Sequence, residues 1–377
     1  MRRPEHRNIS LLMHAGRPIK ALDASGTHVV DEEGREYLDL TGDFGRLTTG
    51  YCHPAVQKSV MSLLKRGLFS AAADIYTQSS IELAEKLAIL VPGAANRRVA
   101  LLESSFLAKN LAARVPSLLG ENGDVIALGR AGAGLCDEER LRKIDFPGEN
   151  PGAILEHIFD DCEGGRISAL YFRPQDFILP GARALAKKLE SCAGERRTLL
   201  IVDETGVQPG ITGNPFLQEE LGIIGDITIL GEGIASGLPM GAIVLRPSLD
   251  NELDVVDYAR PAPILSVQAA LTTIRLLEEE LLDRVRELEP LLAERTREIE
   301  NVLGDKGHIV RRGLFLRLAF REREIAGYVH DKMLSRGIIV DNREKEAIYL
   351  TPSLIIRKRD IKRAFAALQE VLKEVLS

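Results

Sequence analysis

Short apolar segments that alternate with helical stretches limit the fold of this chain more than any other feature. Six of them read as strands: RVALLE at 98–103, DVIAL at 124–128, ISALYF at 167–172, TLLIVDE at 198–204, ITIL at 227–230 and GAIVL at 241–245. Most are separated by amphipathic stretches such as 106–120 and 181–192. Strands joined by helices predict an α/β fold, with a mainly parallel sheet covered on both faces. Such sheets place functional residues at the carboxyl ends of their strands.

Both ends of the chain have a different pattern. Residues 27–40, THVVDEEGREYLDL, predict a β-hairpin. From about Val267 we expect one long amphipathic helix with a break near Pro290, then short strands and a closing amphipathic helix at 359–376. We therefore divide the chain into a hairpin segment at 1–45 that joins the small domain, a large α/β domain at 46–255 and a small α+β domain at 256–377.

Composition excludes several classes of protein. The formal net charge is −6, so the chain has no basic surplus for binding nucleic acid. No apolar stretch reaches the length that crosses a bilayer, and residues 1–10 lack the apolar core of a signal peptide, so we expect no membrane partner. The four cysteines and seven histidines lack metal-ligand spacing. We therefore predict no metal site and reduced thiols in a cytoplasmic protein.

Carboxylates end two of the predicted strands. Asp203 and Glu204 close the segment TLLIVDE, where an open sheet places functional acids but where a simple turn can also begin. Glu232 follows the segment ITIL and is flanked by Gly231 and Gly233. An acid held between two glycines at a strand end is a candidate site residue.

Two serines follow the strand at 98–103. Ser104 and Ser105 open the next helix, and a helix amino terminus with free N–H groups can hold a phosphate. A serine is also a common helix N-cap, which gives these residues a purely structural alternative. The glycines of GRAGAGLCD at 129–137 do not form a dinucleotide-binding loop, because Asp137 stands where the third glycine is required.

Several long motifs resemble, in order, those of class-III aminotransferases of the ornithine, acetylornithine and 4-aminobutyrate type. They are GTHVVDEEGREYLDLTGDFG at 26–45, GYCHPAV at 50–56, LLIVDETGVQPGITG at 199–213, GDITILGEGIASGLPMGA at 225–242 and IYLTPSL at 348–354. The resemblance covers nearly the whole chain. It implies a fold type I architecture, with a mainly parallel seven-stranded sheet and a smaller α+β domain. It also implies pyridoxal phosphate as the cofactor and a pocket built between two subunits.

The same resemblance places unusual residues at the catalytic positions. Glu232 falls where the family has the lysine that forms a Schiff base with the cofactor, and a carboxylate cannot form an imine. Tyr349 falls where the family has the arginine that binds the substrate carboxylate. Arg173 replaces a family glutamate, and Ala259 replaces a threonine that contacts the partner subunit's phosphate. The aromatic-His-Gly segment that stacks on the cofactor is replaced around residues 131–132.

Two positions keep the family's cofactor-binding residue, and Ser105 beside them is a third candidate for contact with the cofactor. Asp203 matches the aspartate that pairs with the pyridinium nitrogen, and Ser104 matches the serine of the phosphate loop, while Ser105 replaces a glycine. Glu232 and Asp203 in one pocket repel an anionic cofactor unless a cation intervenes. We therefore expect pyridoxal phosphate to bind weakly and without a covalent link. Pyridoxamine phosphate is the exception, since its ammonium can pair with Glu232.

The sequence thus predicts a catalytically degenerate aminotransferase homologue, either a homodimer or a heterodimer with an active paralogue. In the main alternative, an enzyme uses pyridoxamine or pyridoxal phosphate without an imine, and Glu232 acts as a general base. Another alternative is an ordinary transaminase whose lysine lies elsewhere, although no other lysine follows a comparable strand and glycine turn. The side chain of Glu232 can also simply face solvent if the pocket has collapsed or opened.

Overall fold

The computed structural model describes residues 19–66, 77–93, 96–132, 135, 141–144, 166–178, 182–252 and 260–376. Its strands are β1 Ala21–Ser25, β2 His28–Asp31, β3 Glu36–Asp39, β4 Arg98–Leu102, β5 Asp124–Leu128, β6 Leu141–Ile144, β7 Ile167–Phe172, β8 Leu199–Asp203, β9 Ile227–Leu230, β10 Gly241–Leu245, β11 Gly307–Arg312, β12 Phe315–Phe320, β13 Ile338–Ile339 and β14 Ala347–Leu350. Its helices are α1 Pro54–Lys65, α2 Gln78–Leu90, α3 Ser105–Leu118, α4 Ala182–Arg196, α5 Gln218–Leu221, α6 Ile264–Leu276, α7 Leu282–Leu303, α8 Arg323–Ser335 and α9 Lys358–Leu376.

A seven-stranded sheet confirms the predicted α/β architecture. Its strand order is β4-β10-β9-β8-β7-β5-β6. β10 runs antiparallel to both of its neighbours, because a short glycine-containing turn joins β9 to β10 without a crossover helix. The other pairs in this sheet are parallel. The edge strand β6 has the sequence LRKI and no apolar run, so its pattern does not predict a strand.

Helices cover both faces of this sheet, as the apolar runs of its strands require. α3 packs on the face that carries Tyr171, Ile201 and Ile229. α4 packs on the opposite face, against Leu170 and Leu200. The alternation of neighbouring residues between the two apolar clusters follows from the two-residue period of a strand. Each fully buried side chain of this size contributes about 1.5–3 kcal/mol of transfer free energy.

The amino-terminal hairpin pairs with the carboxy-terminal part of the chain. β2 and β3 form the predicted antiparallel hairpin. β3 also pairs in parallel with β13, where Ile338 and Ile339 lie opposite Leu38 and Asp39. A separate three-stranded sheet has the order β11-β12-β14. The pairing fits a hairpin that joins the small domain, while the three domain boundaries stay a prediction.

The expected break at Pro290 is wrong. Pro290 lies inside α7, and its side chain is exposed, so water can bond the backbone carbonyl that the missing N–H leaves free. The long helix is instead interrupted by a π-helical segment at Leu277–Leu281, between α6 and α7. Leu277 and Leu281 are both buried. The extra residue in the turn therefore keeps an apolar face directed at the core across the junction.

Within the described ranges, no helix combines the length and the apolar character needed to cross a bilayer.

Candidate functional site

The predicted site residues meet at the carboxyl edge of the seven-stranded sheet. Asp203 is the last residue of β8, and Glu232 begins the turn after β9. Ser104 is the N-cap of α3, which follows β4, and its hydroxyl accepts the Leu107 N–H at 3.2 Å. β4, β8 and β9 point the same way, since β10 is antiparallel to both of its neighbours. Their carboxyl ends therefore share one edge, as an open parallel sheet requires.

Asp203 lies at the base of this edge with its side chain 0% exposed. Its Oδ1 accepts the Thr205 N–H at 2.9 Å, and its Oδ2 accepts the Tyr171 hydroxyl at 3.1 Å. The pKa of Tyr171 is raised because burial and then the negative charge of Asp203 disfavour a phenolate. A third partner, Lys109, places its Nζ 3.4 Å from Oδ2. The buried carboxylate is thus satisfied by this chain's own residues.

Lys109 is the site residue that the sequence reading missed. It lies four residues after Ser105 on α3, so both side chains lie on one face of that helix. The Lys109 side chain is 19% exposed, on a helix that otherwise buries Ala108, Leu111 and Ala112. The sequence does contain one indication of this role, because Lys109 is a cation among apolar helix positions, four residues after the candidate anion-binding residue Ser105. A lysine is so often solvent-facing that this signal alone does not identify a site.

Glu232 points into the site. It is half-buried, and its Oε1 accepts the Ser105 hydroxyl at 2.6 Å and the Ser105 N–H at 3.3 Å. The carboxylate therefore lies at the amino terminus of α3, where the helix dipole and free N–H groups favour an anion. The alternative in which Glu232 faces solvent does not describe this geometry. The flanking Gly233 is needed for packing, because a Cβ there would lie 2.7 Å from the Gly45 carbonyl oxygen.

These groups line a cavity of about 360 Å³. Its wall includes Phe44, Ser105, Lys109, Arg173, Gln175, Glu204, Thr205, Glu232, Arg343, Glu344 and Tyr349. The lining combines cations, carboxylates and hydroxyls, which is the polarity of a site for a charged small molecule. Ala131 is buried in the core, and Ala259 lies outside the described residues. The structure therefore links Lys109 to Asp203 and Ser105 to Glu232, with Lys109, Ser105 and Glu232 on the cavity wall.

Glu204 has a structural role beside the site. Its carboxylate accepts the backbone N–H groups of Leu217 at 3.0 Å and Gln218 at 2.7 Å, at the start of the short helix α5. Burial raises the pKa of Glu204 to about 8, against the lowering effect of these two N–H groups. Of the neighbouring acids Asp203 and Glu204, only Asp203 forms an ion pair with Lys109 among the described contacts.

Two other replaced positions are held by local partners. Arg173 forms a bidentate pair with Asp176, with the Nε–Oδ2 distance at 3.0 Å. The Tyr349 hydroxyl accepts the Arg317 Nε–H at 2.9 Å and donates to Glu344. The position implied for the carboxylate-binding arginine therefore carries a phenol within a hydrogen-bonded network, although Arg317 itself lies next to it.

The fold and this strand-end site define a fold type I aminotransferase-like protein. The family model described as aminotransferase class-III matches residues 14–117 and 178–372, which is more than half of the chain. The chain belongs to the class-III aminotransferase family.

Relatives span most of the chain. It is 29% identical over 307 residues to 5-aminovalerate aminotransferase DavT of Pseudomonas putida, covering 71% of each chain. It is 25% identical to the acetylornithine aminotransferase of Archaeoglobus fulgidus, over 90% of this chain and 92% of that one. An ω-aminotransferase structure from Paracoccus denitrificans matches with a TM-score of 0.87 and 18% identity, covering 99% and 98%. A PMP-bound aminotransferase from Vibrio fluvialis matches with a TM-score of 0.84 and 18% identity, covering 95% and 93%.

Class-III aminotransferases use pyridoxal phosphate or pyridoxamine phosphate as their cofactor. The donor set does not fit it. Position 232 offers no amine, and the carboxylate of Glu232 takes the helix amino terminus where a phosphate is expected. The buried Asp203 already has Lys109 as its cation. The described residues also contain no group of three or more His, Cys, Asp or Glu placed to hold a metal ion.

Proposed function

We propose that this class-III aminotransferase homologue forms no covalent adduct between pyridoxal phosphate and a lysine of its cavity, and that it acts as a non-catalytic member of its family. The observation that carries the proposal is the bond between Glu232 and Ser105 at the start of α3. A 2.6 Å hydrogen bond holds the side chain of Glu232 at this helix terminus. It supplies no nucleophilic nitrogen, and covalent chemistry with an aldehyde requires one.

Lys109 does not take over the role of the missing lysine. Its ammonium is paired with Asp203 at 3.4 Å, at the base of the site. The resemblance assigns Asp203 to the ring nitrogen of the cofactor, and the cofactor's aldehyde lies on the opposite side of that ring. A lysine held beside Asp203 therefore competes with the ring nitrogen and lies far from the aldehyde.

The proposed role is that of a partner subunit. Class-III aminotransferases are commonly homodimers, and exposed apolar side chains on α1 and α2 fit an interface. Met61 and Leu64 of α1 and Ile81 and Ile89 of α2 are exposed, on two helices that both pack against α6. We propose a homodimer as the basic assembly, with a heterodimer containing an active paralogue as its regulatory form. Light scattering on the purified chain tests the first, and co-purification with a catalytic family member tests the second.

A second function is an enzyme in which the cofactor forms no imine with the chain itself and Glu232 acts as a general base. The open cavity of about 360 Å³ favours it, because Glu232 lines this space rather than a collapsed core. A base must lie within hydrogen-bond reach of the proton that it removes. This function requires the carboxylate of Glu232 to leave Ser105 when a ligand enters.

Amino-group transfer from 5-aminovalerate, N-acetylornithine and ornithine to an α-keto acid tests these functions. The first two donors are those for which related aminotransferases are named, and ornithine follows from the family resemblance. The wild type, Glu232→Gln and Glu232→Lys are assayed with added pyridoxal or pyridoxamine phosphate. We expect no turnover by the wild type. Turnover that Glu232→Gln abolishes would establish the second function, and turnover that is unchanged in Glu232→Gln would contradict both.

A further inference from the structure

Two charges that a ligand would bring to the cavity are already supplied by the chain. A cation, Lys109, meets the buried carboxylate of Asp203, and an anion, Glu232, meets the amino terminus of α3. We propose that Lys109 and Glu232 are internal ligands that close the cavity to phosphate-bearing ligands, and that truncating both opens a binding site for them. This inference rests on the proposed function and explains why even non-covalent binding is blocked.

The carboxylate of Asp203 already has a cation of the chain beside it. Its two carboxylate oxygens take donors from Thr205, Tyr171 and Lys109, all within 3.4 Å. The carboxylate is fully buried, so a ring nitrogen reaches it only if the ammonium of Lys109 moves away. That exchange breaks the ion pair between Lys109 and Asp203 and replaces it with an equivalent pair between the ring nitrogen and Asp203, so it yields little net free energy.

The α3 end is occupied in the same way. α3 runs for 14 residues from Ser105, and both the N–H and the hydroxyl of that residue donate to Glu232. The Leu107 N–H donates to Ser104. A phosphate must therefore displace a carboxylate from this terminus, and it is repelled by that carboxylate as long as Glu232 stays in the cavity.

An independent observation indicates that the space between the two ends still suits a polar ligand. Thr205 lines the cavity, and the residue is only 5% exposed. Its Oγ1 is buried without a hydrogen-bond partner, which costs free energy unless a ligand or water supplies one. The cavity wall thus keeps an unpaired polar group that a ligand could bind, although Asp203 and the start of α3 are paired with residues of the chain.

Pyridoxamine phosphate and inorganic phosphate are the probes, because neither carries an aldehyde that reacts with lysines. Binding is measured by calorimetry for the wild type, Lys109→Ala, Glu232→Ala and the double variant. Lys109→Arg keeps the cation at Asp203, and Lys86→Ala removes a lysine from an exposed pair with Glu278. Circular dichroism verifies that each variant is folded.

We expect no saturable binding to the wild type, Lys109→Arg or Lys86→Ala at millimolar probe. This includes pyridoxamine phosphate, because the carboxylate of Glu232 that could pair with its ammonium is bound to Ser105 at the start of α3. The double variant is expected to bind pyridoxamine phosphate at least about tenfold more tightly than the wild type, which corresponds to about 1.4 kcal/mol. Glu232→Ala alone is expected to bind inorganic phosphate, so the inference stays testable even if Lys109→Ala does not fold. Equal affinity of the wild type and the double variant, or of Glu232→Ala and the wild type for phosphate, would overturn it.

This result is separable from a failure of the proposed function. Wild-type binding of pyridoxamine phosphate overturns the internal-ligand inference and leaves the absence of a covalent adduct intact. A covalent pyridoxal phosphate adduct on the wild type contradicts the proposed function, whatever the probes show.

Discussion

The ion pair between Lys109 and Asp203 offers the sharpest quantitative test of the site. At an Nζ–Oδ2 distance of 3.4 Å, an effective dielectric constant of about 20 gives an attraction of roughly 5 kcal/mol. Removing one partner of a buried pair typically costs about 3–5 kcal/mol, because the remaining charge is left unpaired. Lys109 is 19% exposed and Asp203 keeps two hydrogen bonds. We therefore predict that Lys109→Met lowers the free energy of unfolding by about 2–3 kcal/mol.

Urea unfolding at pH 7 measures this loss. Lys109→Met is compared with the double variant Lys109→Met/Asp203→Asn, which removes both charges and should recover at least half of the lost stability. Lys86→Met is the matched control. Its pair with Glu278 is exposed, so it should lose less than about 1 kcal/mol. A loss below about 0.5 kcal/mol in Lys109→Met, or a double variant no more stable than the single one, would refute this account of the site.

Two further predictions concern the buried ionisable residues Glu204 and Arg97. The pKa of Glu204 is about 8 in the folded chain, above the ordinary 4.5, so the folded state holds a proton that the unfolded state loses between these values. Stability should fall as pH rises from 4.5 to 8, by at most about 5 kcal/mol, and Glu204→Gln should remove that decline in urea unfolding at pH 5 to 9. Parallel pH curves for the two proteins would contradict this. Arg97 is 6% exposed, and its Nε and Nη1 lack hydrogen-bond partners, although Nη2 donates to the Gly225 carbonyl. Arg97→Met should therefore leave stability unchanged or raise it by about 1 kcal/mol, and a loss above about 2 kcal/mol in urea unfolding would show that the guanidinium is stabilising.

The strand pattern was sufficient to predict most of the large sheet. Apolar runs identify six of its seven strands, because strands buried on both faces carry uninterrupted apolar residues. The strand β6 is not predicted by this pattern, because an edge strand needs no apolar run. Its Arg142 pairs with Asp124 at the surface. The π-helical segment at Leu277–Leu281 also escaped, since its apolar spacing is close to that of an α-helix.

The shared edge of three candidate residues was predictable, whereas Lys109 and the contacts among these residues were not. Asp203, Ser105 and Glu232 each follow a strand whose carboxyl end faces the same edge. The bond between Ser105 and Glu232 joins residues 127 positions apart, and its geometry depends on how α3 packs on the sheet. Lys109 reads in sequence as an ordinary helix cation, and only the position of Asp203 beneath α3 makes it part of the site.

The absence of a covalent link to pyridoxal phosphate is the central claim. The wild type is incubated with pyridoxal phosphate, reduced with borohydride and examined by intact-protein and peptide mass spectrometry, beside Glu232→Lys. We predict no stoichiometric adduct on the wild type, because position 232 carries a carboxylate bound to Ser105. A single stoichiometric adduct on a lysine that lines the cavity of the wild type would contradict the account.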